Sequence, residues 1–438
     1  MAWFDENDTA ASMKGTFVGA WERLVVTAKA RARQTQRILA ADGVNGILRR
    51  VAGRMERRFG VQGQSIPLHP ADIADSTRLI APAAAPDVAD RPLRIAWVTT
   101  PPSAGSGGHT TMFRMIEGLE AAGHSTTLCL YDIYRGDVAL HENTVRESWP
   151  RVRSSVRDSA QGFGEADVWI ATSWQTAHVL ASHPELPGTR MYFVQDYEPY
   201  FYPHGALAAL AEDSYRFGFT GITAGAWLSG ELGERFGMEC AHFEFGADAN
   251  VYSLRDAAPR AGVVLYTKPG VARRGHELGV LALQRFVEQV PEAPVHLFGD
   301  PPGTLPFSAV SHGRLTPAEL NELYNSCRVG LSLSFTNVSL IPWELQACGV
   351  VPVVNDARHN RAVLRNSEVH WAAPTPGALA EAMVAAWRGY DPSSTPTRQA
   401  AAVAGDSWDE SARVVTEFIE NTVRTGRRDL LDGARHSS

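Results

Sequence analysis

The chain has 438 residues, more than one hydrophobic core ordinarily covers, so at least two domains are expected. Apolar residues make up 44% and charged residues 20%, the balance of an ordinary soluble protein, and the net charge of −7 argues against the general nucleic-acid binding that a basic surface would serve. Cys129, Cys240, Cys327 and Cys348 are scattered without CxxC spacing and read as buried reduced thiols. No apolar run approaches the ~18 residues that span a bilayer. The polar start with Asp5, Glu6 and Asp8 is unlike a secretory signal, so a reducing cytoplasm is expected.

Residues 12–60 read as one or two basic amphipathic helices, with Trp21, Leu24, Val25 and Ala28 at helical spacing. Between Lys14 and Arg58 stand eleven basic residues against three acids, Glu22, Asp42 and Glu56. That excess and the apolar stripe suggest peripheral contact with an anionic lipid surface, beside the plainer reading of a solvated helical pair. Residues 1–65 are thus assigned as a helical extension and 66–92, with five prolines among many alanines, as a linker. A first doubly wound domain follows over 93–258. Its expected strands are Leu93–Thr100, Thr126–Tyr131, Val168–Thr172 and Arg190–Val194, with a helix from Thr110 to Ala122. The rhythm restarts in a second domain over 259–390. Strands are expected at Val263–Thr267, Val295–Gly299, Val329–Phe335 and Val350–Asn355, and helices at His276–Val290, from Thr316-Pro-Ala-Glu319 to Cys327, at Pro342–Cys348 and at Gly377–Trp387. A final amphipathic helix over Asp409–Arg424 lies in a C-terminal segment, 391–438. Two such sheets place a ligand at the carboxyl ends of their strands, in the cleft between the domains.

Four stretches carry chemistry at those strand ends. In Ser334–Val354 (SFTNVSLIPWELQACGVVPVV) a proline-started helix holds Glu344 in its first turn. A carboxylate there complements the helix dipole, and it could equally accept both hydroxyls of a ribose while Ser339 and the loop amides meet a diphosphate. Tyr266–Gly275 (YTKPGVARRG) puts Lys268, Arg273 and Arg274 after the first strand of the second domain, able to neutralise growing phosphate charge. In Pro101–Thr110 (PPSAGSGGHT) Gly107 and Gly108 allow close approach of a donor, with His109 beside them on the acceptor side. Tyr192–Gly205 (YFVQDYEPYFYPHG) is dense in aromatics and acids, as sugar clefts are. There Asp196 is the candidate general base, with Gln195, Glu198 and Tyr200 as acceptor contacts. With no Asp-x-Asp motif and no His/Cys cluster of ligand spacing, neither a metal nor a cofactor is expected.

Glu344, Ala347, Gly349 and Pro352 fall on a pattern that resembles the donor signature of family 4 of the retaining GT-B glycosyltransferases. That family usually carries a further glutamate eight positions earlier, where this chain has Thr336. With YFVQDYEP, GAWLSGEL, FGAD and YTKP…RRG, the chain over about 92–390 resembles the branch of bacterial rhamnosyltransferases that use dTDP-L-rhamnose for cell-surface glycans. The resemblance implies a GT-B fold, a nucleotide-sugar donor and a glycan or lipid-linked acceptor. It also places His312 near the nucleotide base and Thr336 beside the donor. The expected reaction is transfer of a 6-deoxyhexose with retention. The rivals are a UDP- or GDP-sugar donor, a sugar-nucleotide epimerase, and a glycan-binding protein on the same scaffold.

Overall fold

The computed structural model describes residues 66–88, 91–255 and 259–425. The helices expected over 12–60 lie outside the described residues.

The first domain holds β1 (Arg94–Thr99), α1 (Gly107–Ala121), β2 (Ser125–Leu130), α2 (Val138–Ser148), β3 (Ser155–Asp158), β4 (Val168–Ala171), α3 (Trp174–Ala181), β5 (Thr189–Val194), α4 (Ala206–Asp213), β6 (Thr220–Ala224), α5 (Ala226–Phe236) and β7 (Cys240–Phe243). The second holds β8 (Gly262–Thr267), α6 (His276–Gln289), β9 (Val295–Gly299), β10 (Val310–Ser311), α7 (Pro317–Ser326), β11 (Cys327–Ser332), α8 (Ile341–Ala347), β12 (Val351–Asn355), α9 (Arg358–Arg361), β13 (His370–Ala372) and α10 (Pro376–Arg388). Then come α11 (Thr395–Ala401) and α12 (Trp408–Thr425). The sheets run 3-2-1-4-5-6-7 and 10-9-8-11-12-13, with every pairing parallel.

Parallel strands covered on both faces need continuous apolar runs. In the second sheet Val263, Leu265, Val329, Leu331, Val351 and Val353 face one core with Leu379 and Met383 of α10. Val264, Val350 and Val354 face the other, a core continuous with the first domain through Trp343, Leu345 and Trp408. The expected strand Val329–Phe335 ends at Ser332 instead. Beyond it the backbone leaves the ladder, because the Asn355 side chain takes both polar groups of Ser334, receiving its N–H and donating to its carbonyl, each at 2.8 Å.

The chain crosses between domains twice. After α10 it returns, and α12 packs on α1 rather than on the second domain. Gly118 of α1 makes room, since a Cβ there would lie 2.7 Å from that of Ala412. The proline-rich stretch lies along the first domain: Leu68 and Val88 are buried, Ser76 Oγ donates to Asp213 at 2.6 Å, and the Tyr131 hydroxyl donates to Asp72 at 2.7 Å.

Candidate functional site

In each sheet the strand order reverses at one point, between β1 and β4 and between β8 and β11, and ligands of doubly wound folds bind outside the carboxyl ends there. Lys268–Arg274 leaves β8 at that point and Ser334–Glu344 leaves β11 beside it, joined by the Phe335 N–H donating to the Arg273 carbonyl at 3.2 Å. Gly275, at φ +60°, lets this turn lie flat, for a Cβ there would meet Phe335 at 2.8 Å.

The turn gathers cations. Lys268 has its pKa lowered by burial and by Arg273 and Arg274 beside it, a local field that calls for an anion. Among the described residues none of Lys268, Arg273 and Arg274 has a carboxylate within salt-bridge distance, whereas Arg314 holds Asp300 at 2.7 Å. Arg273 leans towards the first domain. Its guanidinium lies 4.1 Å from the Phe201 ring centre, and burial lowers its pKa against the opposing pull of Asp196.

Glu344 sits in the first turn of α8, after Pro342. Burial pushes its carboxyl up to about 7, while a 3.2 Å hydrogen bond from the Tyr324 hydroxyl pulls it down. Arg114 of α1 and Asp248, paired at 2.6 Å, act on it in opposite directions, so the first domain contributes to the field at this carboxylate. Helix α8 ends with Gly349 at φ +80°, where the Gly349 N–H donates to Gln346 and the Val350 N–H to Leu345 in a Schellman arrangement. Ser339, at the mouth of α8, shares a 3.1 Å hydrogen bond with Ser332.

Across the cleft, β5 leads directly into Gln195 and Asp196. Gln195 Nε2 donates to the Gly108 carbonyl at 3.0 Å, tying the glycine loop to this strand end. Gly107 has open space around its Cα. His109 is held neutral, burial taking its pKa down to about 4. Asp196 Oδ1 accepts from the Thr336 hydroxyl at 2.7 Å, so Thr336, read as a donor contact, spends its hydroxyl on the opposite domain. Tyr200 is 55% exposed and edge-packed on Tyr197.

Two expected contacts lie elsewhere. Glu198 is 5% exposed and points inward, its Oε2 capping α3 by accepting the Trp174 N–H at 2.6 Å. Burial pushes that carboxyl up to about 8. His312 is held by His296 at 3.0 Å, in the body of β9 rather than at its carboxyl end. Sequence reading missed Arg114, Asp248, Tyr324 and Asn355. The first looks like any solvated helix residue, whereas Asp248 closes the quoted FGAD run and Asn355 closes the Pro-Val-Val strand, each inside a noted motif but given no role there.

The fold is GT-B: two doubly wound α/β domains, with α12 crossing back onto the first. The chain matches the family described as WsaF, N-terminal domain over residues 144–224 and as WsaF, C-terminal domain over 261–384. It is 37% identical over 267 residues to the Myxococcus xanthus O-antigen biosynthesis protein RfbC, a match covering 58% of this chain and 21% of that protein. The chain therefore spans about a fifth of the length of that curated relative. Among solved structures it resembles Anabaena HepE in complex with UDP-glucose (TM-score 0.56, 15% identity, 76% of this chain and 100% of the other). It also resembles the Thermobaculum terrenum O-GlcNAc transferase (0.53, 15%, 81% and 71%) and a candidate UDP-N-acetylglucosamine 2-epimerase from Listeria monocytogenes (0.54, 8%, 78% and 99%).

Proposed function

We propose that the chain is a metal-independent, retaining glycosyltransferase of cell-surface glycan assembly, moving L-rhamnose from dTDP-L-rhamnose to a hydroxyl of a polysaccharide or lipid-linked glycan. The observation that carries transfer from a nucleotide sugar is the cation group Lys268, Arg273 and Arg274 at the β8 end, which meets no carboxylate among the described residues and lies beside the Glu344 helix and opposite Asp196. In this reading Glu344 accepts the donor's ribose hydroxyls, and Lys268, Arg274 and the mouth of α8 hold the diphosphate. The bond from the anomeric carbon to the phosphate oxygen breaks with its electron pair on the phosphate. The acceptor oxygen bonds the anomeric carbon, and its proton passes to the departing phosphate or to Asp196. The aromatic loop with exposed Tyr200 offers the acceptor a stacking face.

Surface-glycan assembly is supported by the name of the M. xanthus relative, and rhamnose by the motif resemblance across both domains. Peripheral membrane attachment through the basic segment 12–60 belongs to the same reading. No helix among the described residues is long and apolar enough to cross a membrane.

A screen of nucleotide sugars with rhamnose-containing acceptors and mass-spectrometric product detection tests the assignment. A rhamnosylated product from dTDP-L-rhamnose is expected, and Glu344→Ala and Arg274→Ala each lose turnover by about 10²- to 10³-fold while staying folded. Wild-type turnover in both variants overturns the donor site. An epimerised nucleotide sugar formed without acceptor overturns transfer itself, an outcome the Listeria likeness makes worth measuring.

A further inference from the structure

Beside the donor cations, two consecutive residues after β11 reach across to the first domain. Thr336 and Asn337 are 2% and 1% exposed. Thr336 gives its hydroxyl to Asp196 Oδ1 at 2.7 Å, and its carbonyl accepts the Tyr197 N–H at 3.2 Å. Asn337 Nδ2 donates to the Gln195 carbonyl at 2.8 Å and to the Ala224 carbonyl at 3.0 Å, the ends of the neighbouring strands β5 and β6. Its Oδ1 takes the Val338 N–H at 2.9 Å, which sets the orientation of the amide. One amide giving both hydrogens to carbonyls of two strands can do so at a single relative placement of the domains. The surroundings are close-packed as well: a Cβ on Gly225 would sit 2.7 Å from Val363, and the Trp227 and His359 rings lie 5.3 Å apart.

We propose that Thr336 and Asn337 are positioning residues, an interdomain clamp that holds the Asp196 carboxylate at a fixed place relative to the donor. Oδ1 is occupied by the Thr336 hydroxyl, and Oδ2 is the oxygen left for the acceptor. The residue that replaces the family's usual glutamate thus works through Asp196 rather than on the donor sugar. This rests on the assignment of Asp196 to the acceptor side. A displacement of the donor domain by about 1 Å would misplace Asp196 and cost on the order of 100-fold in rate.

The test uses full-length protein and two readouts. Thr336→Val, which removes the hydroxyl and keeps the shape, lowers kcat by about 10- to 100-fold with donor KM within about twofold of wild type. Thr336→Ser restores kcat, and Thr336→Val added to Asp196→Asn lowers the rate no further. If the Val variant folds poorly, Thr336→Ser against Thr336→Ala gives the same contrast. Independently, hydrogen exchange in Asn337→Ala rises about tenfold or more in a peptide covering 195–198 and stays unchanged in β9. Wild-type kcat in Thr336→Val, a loss expressed only in donor KM, full additivity with Asp196→Asn, or unchanged exchange at 195–198 each overturns the clamp. If wild-type protein transfers no sugar, the proposed function falls, and the exchange result alone decides the clamp.

Discussion

Glu344 has to serve two needs that pull in opposite directions. Ribose hydroxyls donate to an ionised carboxylate, yet burial raises this carboxyl from an ordinary 4.5 to about 7. Affinity for a nucleoside diphosphate is therefore expected to rise between pH 6 and pH 8. Glu344→Gln flattens that rise and weakens binding by about 10- to 100-fold at pH 8, read by titration calorimetry. Stability runs the other way. A carboxyl whose folded pKa lies above its unfolded value binds more protons when folded, so its contribution is full below 4.5 and is lost as pH rises through about 7 for Glu344 and about 8 for Glu198. The unfolding temperature of the free protein should fall from pH 5 to pH 8, less steeply in Glu344→Gln. A flat wild-type curve would contradict the burial argument. At this scale the sequence announced Glu344, Lys268 and Arg274 because each stands at a strand or helix end. It did not show that Glu198 points inward, since an acid in an aromatic loop reads the same whether it faces a ligand or caps a neighbouring helix.

At the scale of elements, the short helix α8 shows what a motif encodes. The Ala-Cys-Gly ending was visible in sequence, and its reason is local: Gly349 takes a left-handed conformation that closes the helix. A second reason is tertiary. A Cβ on Gly349 would lie 2.8 Å from Leu254 in the first crossing and 2.8 Å from Pro396 in the return. Gly349→Ala should therefore cost about 2–4 kcal/mol in denaturant unfolding, combining backbone strain with overpacking. A loss below about 1 kcal/mol would show that the neighbours yield. The capping box Thr316…Glu319 formed as read, because its partners lie within one turn of each other. The strand expected to reach Phe335 stopped at Ser332, because the side chain that stops it, Asn355, belongs to the neighbouring strand and leaves no mark on the local pattern.

For the whole molecule, the two-domain rhythm was legible because the inner strands of a covered parallel sheet are near-continuous apolar runs, whereas the edge strands β3 and β10 carry no such signal. The destination of the last helix was not. An amphipathic pattern gives α12 a face to bury, and says nothing of which surface will bury it. That surface is α1, some three hundred residues earlier in the chain. Phe418 and Ile419, 1% and 0% exposed, belong to the core shared with the first domain. Phe418→Ala is expected to destabilise by about 3–5 kcal/mol while leaving nucleotide affinity within about twofold well below the midpoint. Equal loss of both would place α12 in the donor site rather than beneath the first domain.

The return of α12 to α1 also orders the life of the nascent chain. The first sheet is complete once β7, ending at Phe243, has left the ribosome, but one face of α1 stays bare until Trp408–Thr425 has been made. At ordinary elongation rates that interval is on the order of ten seconds. During it the face that carries Gly118, destined for Ala412, and Arg114, destined for Trp408, lacks its final partner. A chaperone's claim on this protein should therefore fall on α1 and end with the synthesis of α12.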